Sequence, residues 1–181
     1  MVKRYLKNVR YFLPVLGLAA LCLSATVAEP KEDTNAKIKA VYLYNFSKYV
    51  EWPEDWKSGS FVVTVIGNNS SLLSELGKMA QKMVGAQQIS VKSVSSVSSL
   101  DHSHIVFIPL ESSGMLNEVI NKVRGSSTLI VTEKQGLARQ GSAINFIIKD
   151  NKQAFEINKS NAERYKLKIN SNLMKLGTLV E

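Results

Sequence analysis

The stretch "HIVFIPLESSGMLNEVINKVRGSSTLIVTE", residues 104–133, decides the fold. It begins and ends in short runs that are nearly all apolar and rich in β-branched residues. Between them "SSGMLNEVINKVRG" reads as a helix closed by Gly125. A strand that is apolar on both faces must be covered on both faces, which is how strands of a parallel sheet are buried. The unit is therefore read as strand, helix, strand.

Working outward, the same grammar recurs. "FVVTVIG" (61–67) is a β-branched run ending in glycine. In "NNSSLLSELGKMAQKM" (68–83), Leu72, Leu73, Leu76, Met79, Ala80 and Met83 recur at helical spacing. "QISVKSV" (88–94) is a further strand, and the serine-rich "SSVSSLDHS" (95–103) connects it to the next. Downstream, "GSAINFIIKDNKQAFEIN" (141–158) is two strands about a polar Asp150-Asn151-Lys152 turn, hence an antiparallel hairpin. "KSNAERYKLKINSNLMKLGTLV" (159–180) gives a short helix from about Ser160, an extended "LKI", and a last helix begun by Ser171. The expected fold is a three-layer α/β/α sandwich, with a mostly parallel sheet and an antiparallel C-terminal hairpin at one edge.

The chain has 181 residues, a length that suits one domain after an export signal. "MVKRYLKNVR" carries Lys3, Arg4, Lys7 and Arg10 and no acid. "YFLPVLGLAALCLSA" follows, an apolar stretch too short to span a bilayer comfortably, and "ATVA" supplies small residues. Residues 1–28 are read as a secretory signal peptide cut between Ala28 and Glu29, with an uncleaved anchor as the alternative. Residues 29–35 form a flexible leader, in which Thr34 or Asn35 caps the first helix, and residues 36–181 the single domain. Removing the four signal cations leaves 19 of the 23 Lys and Arg against 15 Asp and Glu, a net charge of +4. That balance does not call for nucleic acid. The one cysteine, Cys22, leaves with the signal, so no disulfide is available in the oxidising compartment that export implies.

The first helix of the domain lies in "KIKAVYLYNFSKYVEWPEDW" (37–56), and Pro53 ends it. On a helical projection Ala36, Ala40, Leu43, Phe46, Ser47 and Val50 share one side, while Ile38, Val41, Tyr42, Asn45 and Tyr49 share the other. A helix covering one sheet needs one apolar stripe. The second cluster is either covered inside the monomer, by the C-terminal helix or the Trp52–Trp56 corner, or it meets another molecule. Ile38, Tyr42, Tyr49 and Trp52 are the candidate partner- or dimer-binding residues, with Tyr42, Tyr49 and Trp52 expected to be partly exposed.

Catalytic signatures are not evident. The chain has no GxSxG and no HExxH. "DHSH" brings His102 and His104 to one side of a strand, but these are the only two histidines, and metal sites take three or four ligands. No enzyme activity, metal or cofactor is expected. "VIGNNSS" follows a strand and precedes a helix without a phosphate-binding glycine pattern; it marks the sheet edge at which α/β folds bind small ligands.

Taken in order, "KAVYLYNFSKYVEWP", "VTVIG", "HIVFIP", "TLIVTE", "GLARQGSAINFI", "FEIN" and "LKINSNLMKLG" resemble the YfiR family of periplasmic bacterial proteins over roughly residues 36–178. The resemblance implies an α/β sandwich that tends to dimerise. It also implies a repressor that binds the periplasmic domain of an inner-membrane diguanylate cyclase, and an outer-membrane lipoprotein that sequesters the repressor. The output would be cyclic di-GMP signalling and biofilm formation. Many relatives carry cysteine pairs, one of them near the strand where this chain has Ser103 before His104, so control through a disulfide does not carry over. The alternative reading is a periplasmic small-ligand or sensor module using the edge near Gly67 to Ser70.

Overall fold

A computed structural model describes residues 33–181. The expected signal peptide, and the leader up to residue 32, lie outside the described residues. The apolar runs become the centre of a sheet: β2 (Phe61–Ile66), β5 (Ile105–Ile108) and β6 (Leu129–Thr132) are buried along their whole length. They are preceded by α1 (Thr34–Tyr49) and the two-residue β1 (Val50–Glu51). Between β2 and β5 come α2 (Ser70–Met79), β3 (Met83–Val84) and β4 (Gln87–Val94). α3 (Leu116–Lys122) joins β5 to β6. The chain finishes with β7 (Ile144–Lys149), β8 (Lys152–Asn158), α4 (Lys159–Arg164), β9 (Lys168–Ile169), α5 (Ser171–Leu176) and β10 (Thr178–Val180).

The main sheet has the order β10-β8-β7-β6-β5-β2-β4-β3. Its pairings from β4 through β2, β5 and β6 to β7 are parallel, and β7–β8 is antiparallel. From β2 the chain crosses through α2 to β4 on one side; from β5 it crosses through α3 to β6 on the other. Right-handed crossovers running in opposite directions place α2 and α3 on opposite faces. The mixed α/β sandwich expected from the sequence is the observed fold.

The hairpin turns at Asp150 and Asn151, both at positive φ, with Lys149 paired to Lys152. This is the geometry that matches the right-handed twist of its strands. One further strand lies beyond it: β10 pairs parallel to β8 and forms the outer edge. The extended "LKI" does not join the main sheet. Its Lys168–Ile169 pairs antiparallel with β1, and Asn170 N–H donates to Tyr49 O (2.9 Å), which fixes the exit of α1. The helix cap also differs from expectation. Asp33 caps α1, its carboxylate accepting from the amides of Asn35 and Ala36, so Thr34 and Asn35 already form the first turn.

Candidate functional site

The first face of α1 is core, as the projection predicts: Ala36, Ala40, Leu43, Phe46 and Ser47 are buried, and so is Val50 just after it. The second face divides. Tyr42 is half-buried, its ring 5.3 Å from Phe155 and 5.9 Å from Phe146, with Phe46 at 6.1 Å. Its hydroxyl faces Gln153 O at 3.5 Å. The partners Phe146 and Phe155 come from the distant hairpin, so Tyr42 is partly exposed, as expected, while one side of its ring packs inside the monomer. Ile38 is also half-buried. Val41 and Tyr49 stay open, at 41% and 37% exposure. They are eight residues apart, hence on the same side of the helix.

Trp52 departs from expectation. It is only 7% exposed and packs edge-on against Phe61 (5.0 Å between rings). Pro53 opens the Glu54–Trp56 turn, and the indole before it packs on the start of β2 rather than facing outward. Its Nε1 is buried without a hydrogen-bond partner. Beside it lies a cavity of about 490 Å³ lined by Trp52, Lys57, Phe61, Met83 and Gln87 among others.

The same corner holds a fully buried histidine. His104 Nδ1 accepts the Val62 amide (3.1 Å), and its Nε2 lies 2.8 Å from Trp56 O. A carbonyl can only accept, so Nε2 carries the proton and the ring is neutral. Gln87 Nε2 donates to Trp56 O and Ser58 O, both at 3.1 Å. Burial pushes the His104 pKa down; the hydrogen bond to Trp56 opposes this, and the nearby His102 adds to it. His102 stacks on Trp56 at 4.0 Å. With both nitrogens of His104 engaged by backbone groups, the pair is not arranged as metal ligands, and no group of three or more metal-binding side chains occurs among the described residues. Just before it, Ser103 Oγ lies 2.7 Å from Thr64 Oγ1. A buried hydroxyl pair thus bridges these strands near the place where the resemblance suggested cysteines.

The opposite end of the sheet is polar. The strand order reverses direction at β2 and β5, and their carboxyl ends flank a cavity of about 300 Å³. Gly67, Asn68, Asn69, Ser70, Glu111 and Ser112 line it. Gly67 has φ +87°, and a Cβ there would come within 2.9 Å of Ser112 Oγ, so glycine is required for the two loops to close. Nearby, Glu133 accepts the Leu110 amide (2.9 Å), and its other carboxylate oxygen, which has no partner of hydrogen-bond geometry, is neutralised by Lys39 Nζ at 2.6 Å. This ties α1 to the carboxyl end.

No helix among the described residues is long and apolar enough to cross a membrane. No curated protein matches the sequence. Among solved structures, the chain is similar to a conserved domain protein from Vibrio cholerae O1 biovar eltor str. N16961, with a TM-score of 0.57 and 11% identity. The match covers 78% of this chain and 60% of that one, and at this identity it bears on the fold alone. The sequence model of the YfiR/HmsC-like family matches residues 36–178, nearly the whole described domain. That family consists of periplasmic, regulatory, non-catalytic proteins of diguanylate cyclase signalling. The ordered motifs, the sandwich that carries them and the family match agree: the chain belongs to the YfiR/HmsC-like family.

Proposed function

We propose that the chain is an exported, non-enzymatic repressor, which binds the periplasmic domain of an inner-membrane diguanylate cyclase and lowers cyclic di-GMP. The observation that carries this reading is the exposed side of α1. Val41 and Tyr49 stand open on a helix whose other face is fully committed to the core. Tyrosine suits such a surface, because its ring gives contact area while the hydroxyl stays wet. Ile38 and Tyr42, both half-buried, and the exposed Tyr49 keep their place in the candidate contact patch, whereas the buried Trp52 does not. Binding would act by population shift, holding the cyclase's sensor domain in an inactive arrangement. A homodimer through the same patch, and an outer-membrane lipoprotein that competes for it, fit the same reading. Deleting the gene should raise cellular cyclic di-GMP; an unchanged level would overturn it.

A second reading is favoured by the cavity at the carboxyl ends of β2 and β5. In open α/β sheets, ligands bind outside the strand carboxyl ends where the order reverses. A small polar ligand there would make the domain a sensor. Screening polar metabolites by thermal shift separates the two readings, with Gly67→Val as the variant that closes the cavity.

A further inference from the structure

We propose that His104 is a pH-sensitive latch, which holds the 52–58 corner against the sheet while neutral and releases it on protonation. The geometry requires the neutral ring. Nδ1 accepts the Val62 amide at 3.1 Å and Nε2–H donates to Trp56 O at 2.8 Å. A second proton would sit on Nδ1 and point at the Val62 N–H, turning one buried hydrogen bond into a donor–donor clash. An imidazolium at 0% exposure also loses its hydration.

No carboxylate is among the groups that shift His104: Glu51 and Lys48, which line the cavity beside Trp52, and Lys122, which shares a cleft with Trp56 and His102, are all exposed. β2 contributes apolar residues and Thr64, β4 contributes the uncharged Gln87, and Trp52, Trp56 and Phe61 supply rings. On the adjoining turn Glu54 pairs with Lys57 at 2.6 Å and is exposed, as are Asp55 and Asp101. His102, whose ring centre is 5.3 Å away, works against a proton on His104.

The corner has cause to open. The Trp52 indole N–H is buried without a partner and would regain one from water. The 490 Å³ cavity beside it gives the indole room to move. The sign follows. The unfolded or opened chain binds the proton more readily than the closed one, so closure is fully favoured above about pH 6.5 and weakens as pH falls below it. The corner begins three residues after Tyr49, so its release would disturb the end of the exposed face of α1.

The chain has only two tryptophans, Trp52 and Trp56, and both lie in this corner, so tryptophan emission reports on it alone. The exported chain is titrated from pH 8 to pH 4 with emission and far-ultraviolet circular dichroism recorded together. The expected result is a red shift with its midpoint below pH 6.5 and an unchanged dichroism spectrum. The shift should be absent in His104→Gln and retained in His102→Gln. A shift that persists in His104→Gln, a wild type that shows none, or a shift that coincides with loss of secondary structure would each overturn the proposal. Should His104→Gln not fold, imidazole nitrogen shifts of the wild type decide. They should report the Nε2–H tautomer at pH 8 and titrate together with the emission; a ring already protonated at pH 7, or titrating without an emission change, contradicts it.

Discussion

The two ends of the sheet are built on opposite plans. At the amino ends of β2 and β5 the chain packs aromatic rings and a buried histidine, with Trp52, Phe61, Trp56 and His104 meeting edge-on or tilted, their ring centres within 6 Å of their neighbours. At the carboxyl ends of the same strands it leaves a polar cavity between two loops, closed by glycine and lined by asparagine, serine and glutamate. The difference teaches where stability and adaptability reside. Burying large rings makes substitution costly at the first end, whereas the exposed Asn68, Ser70 and Glu111 at the second should tolerate it. α1 spans both, tied at one end by Lys39 to Glu133 and at the other by the β1–β9 pair.

This contrast can be broken by substitution. The largest effect is expected at the aromatic end: Trp52→Ala should cost about 3–5 kcal/mol in chemical denaturation. A loss below about 1 kcal/mol would mean that the indole is not part of the core. Next is Tyr42→Ala, which strips a half-buried ring from Phe155 and Phe146 and should cost on the order of 2 kcal/mol. Lys39→Met leaves the Glu133 carboxylate without its cation and should cost about 2 kcal/mol. Because the partner is a carboxylate, that loss should shrink in the Lys39→Met/Glu133→Gln double variant. The smallest effect is expected at the polar end, where Asn68→Ala should stay within about 0.5 kcal/mol. A larger change would show that the cavity is structural rather than spare.

The same contrast explains what could be read from sequence. The central strands were legible because a strand buried on both faces must be apolar throughout, and "HIVFIPL" and "STLIVTE" are. The core side of α1 followed from its period. β1, β9 and β10 were not legible as sheet strands, since two or three residues show no alternation and their pairing depends on distant partners. Trp52 lies deeper than its sequence position suggests for a related reason. Helical projection gives the direction of a side chain, but it does not say that the hairpin or the start of β2 comes to meet it. By sequence His104 is half of a histidine pair; its place at the head of the apolar run "HIVFIPL" is the available sign of a buried, neutral ring.

The central claim is that the exposed side of α1 acts by contact with another protein. The most direct test is complementation of the gene deletion with the wild type and with Val41→Glu/Tyr49→Glu, read as cellular cyclic di-GMP. Both residues are exposed, so the double variant should fold and be exported at wild-type levels with an unchanged melting temperature. The account predicts that the wild type lowers cyclic di-GMP to the parental level while the double variant leaves it high. Full restoration by the folded double variant would contradict it.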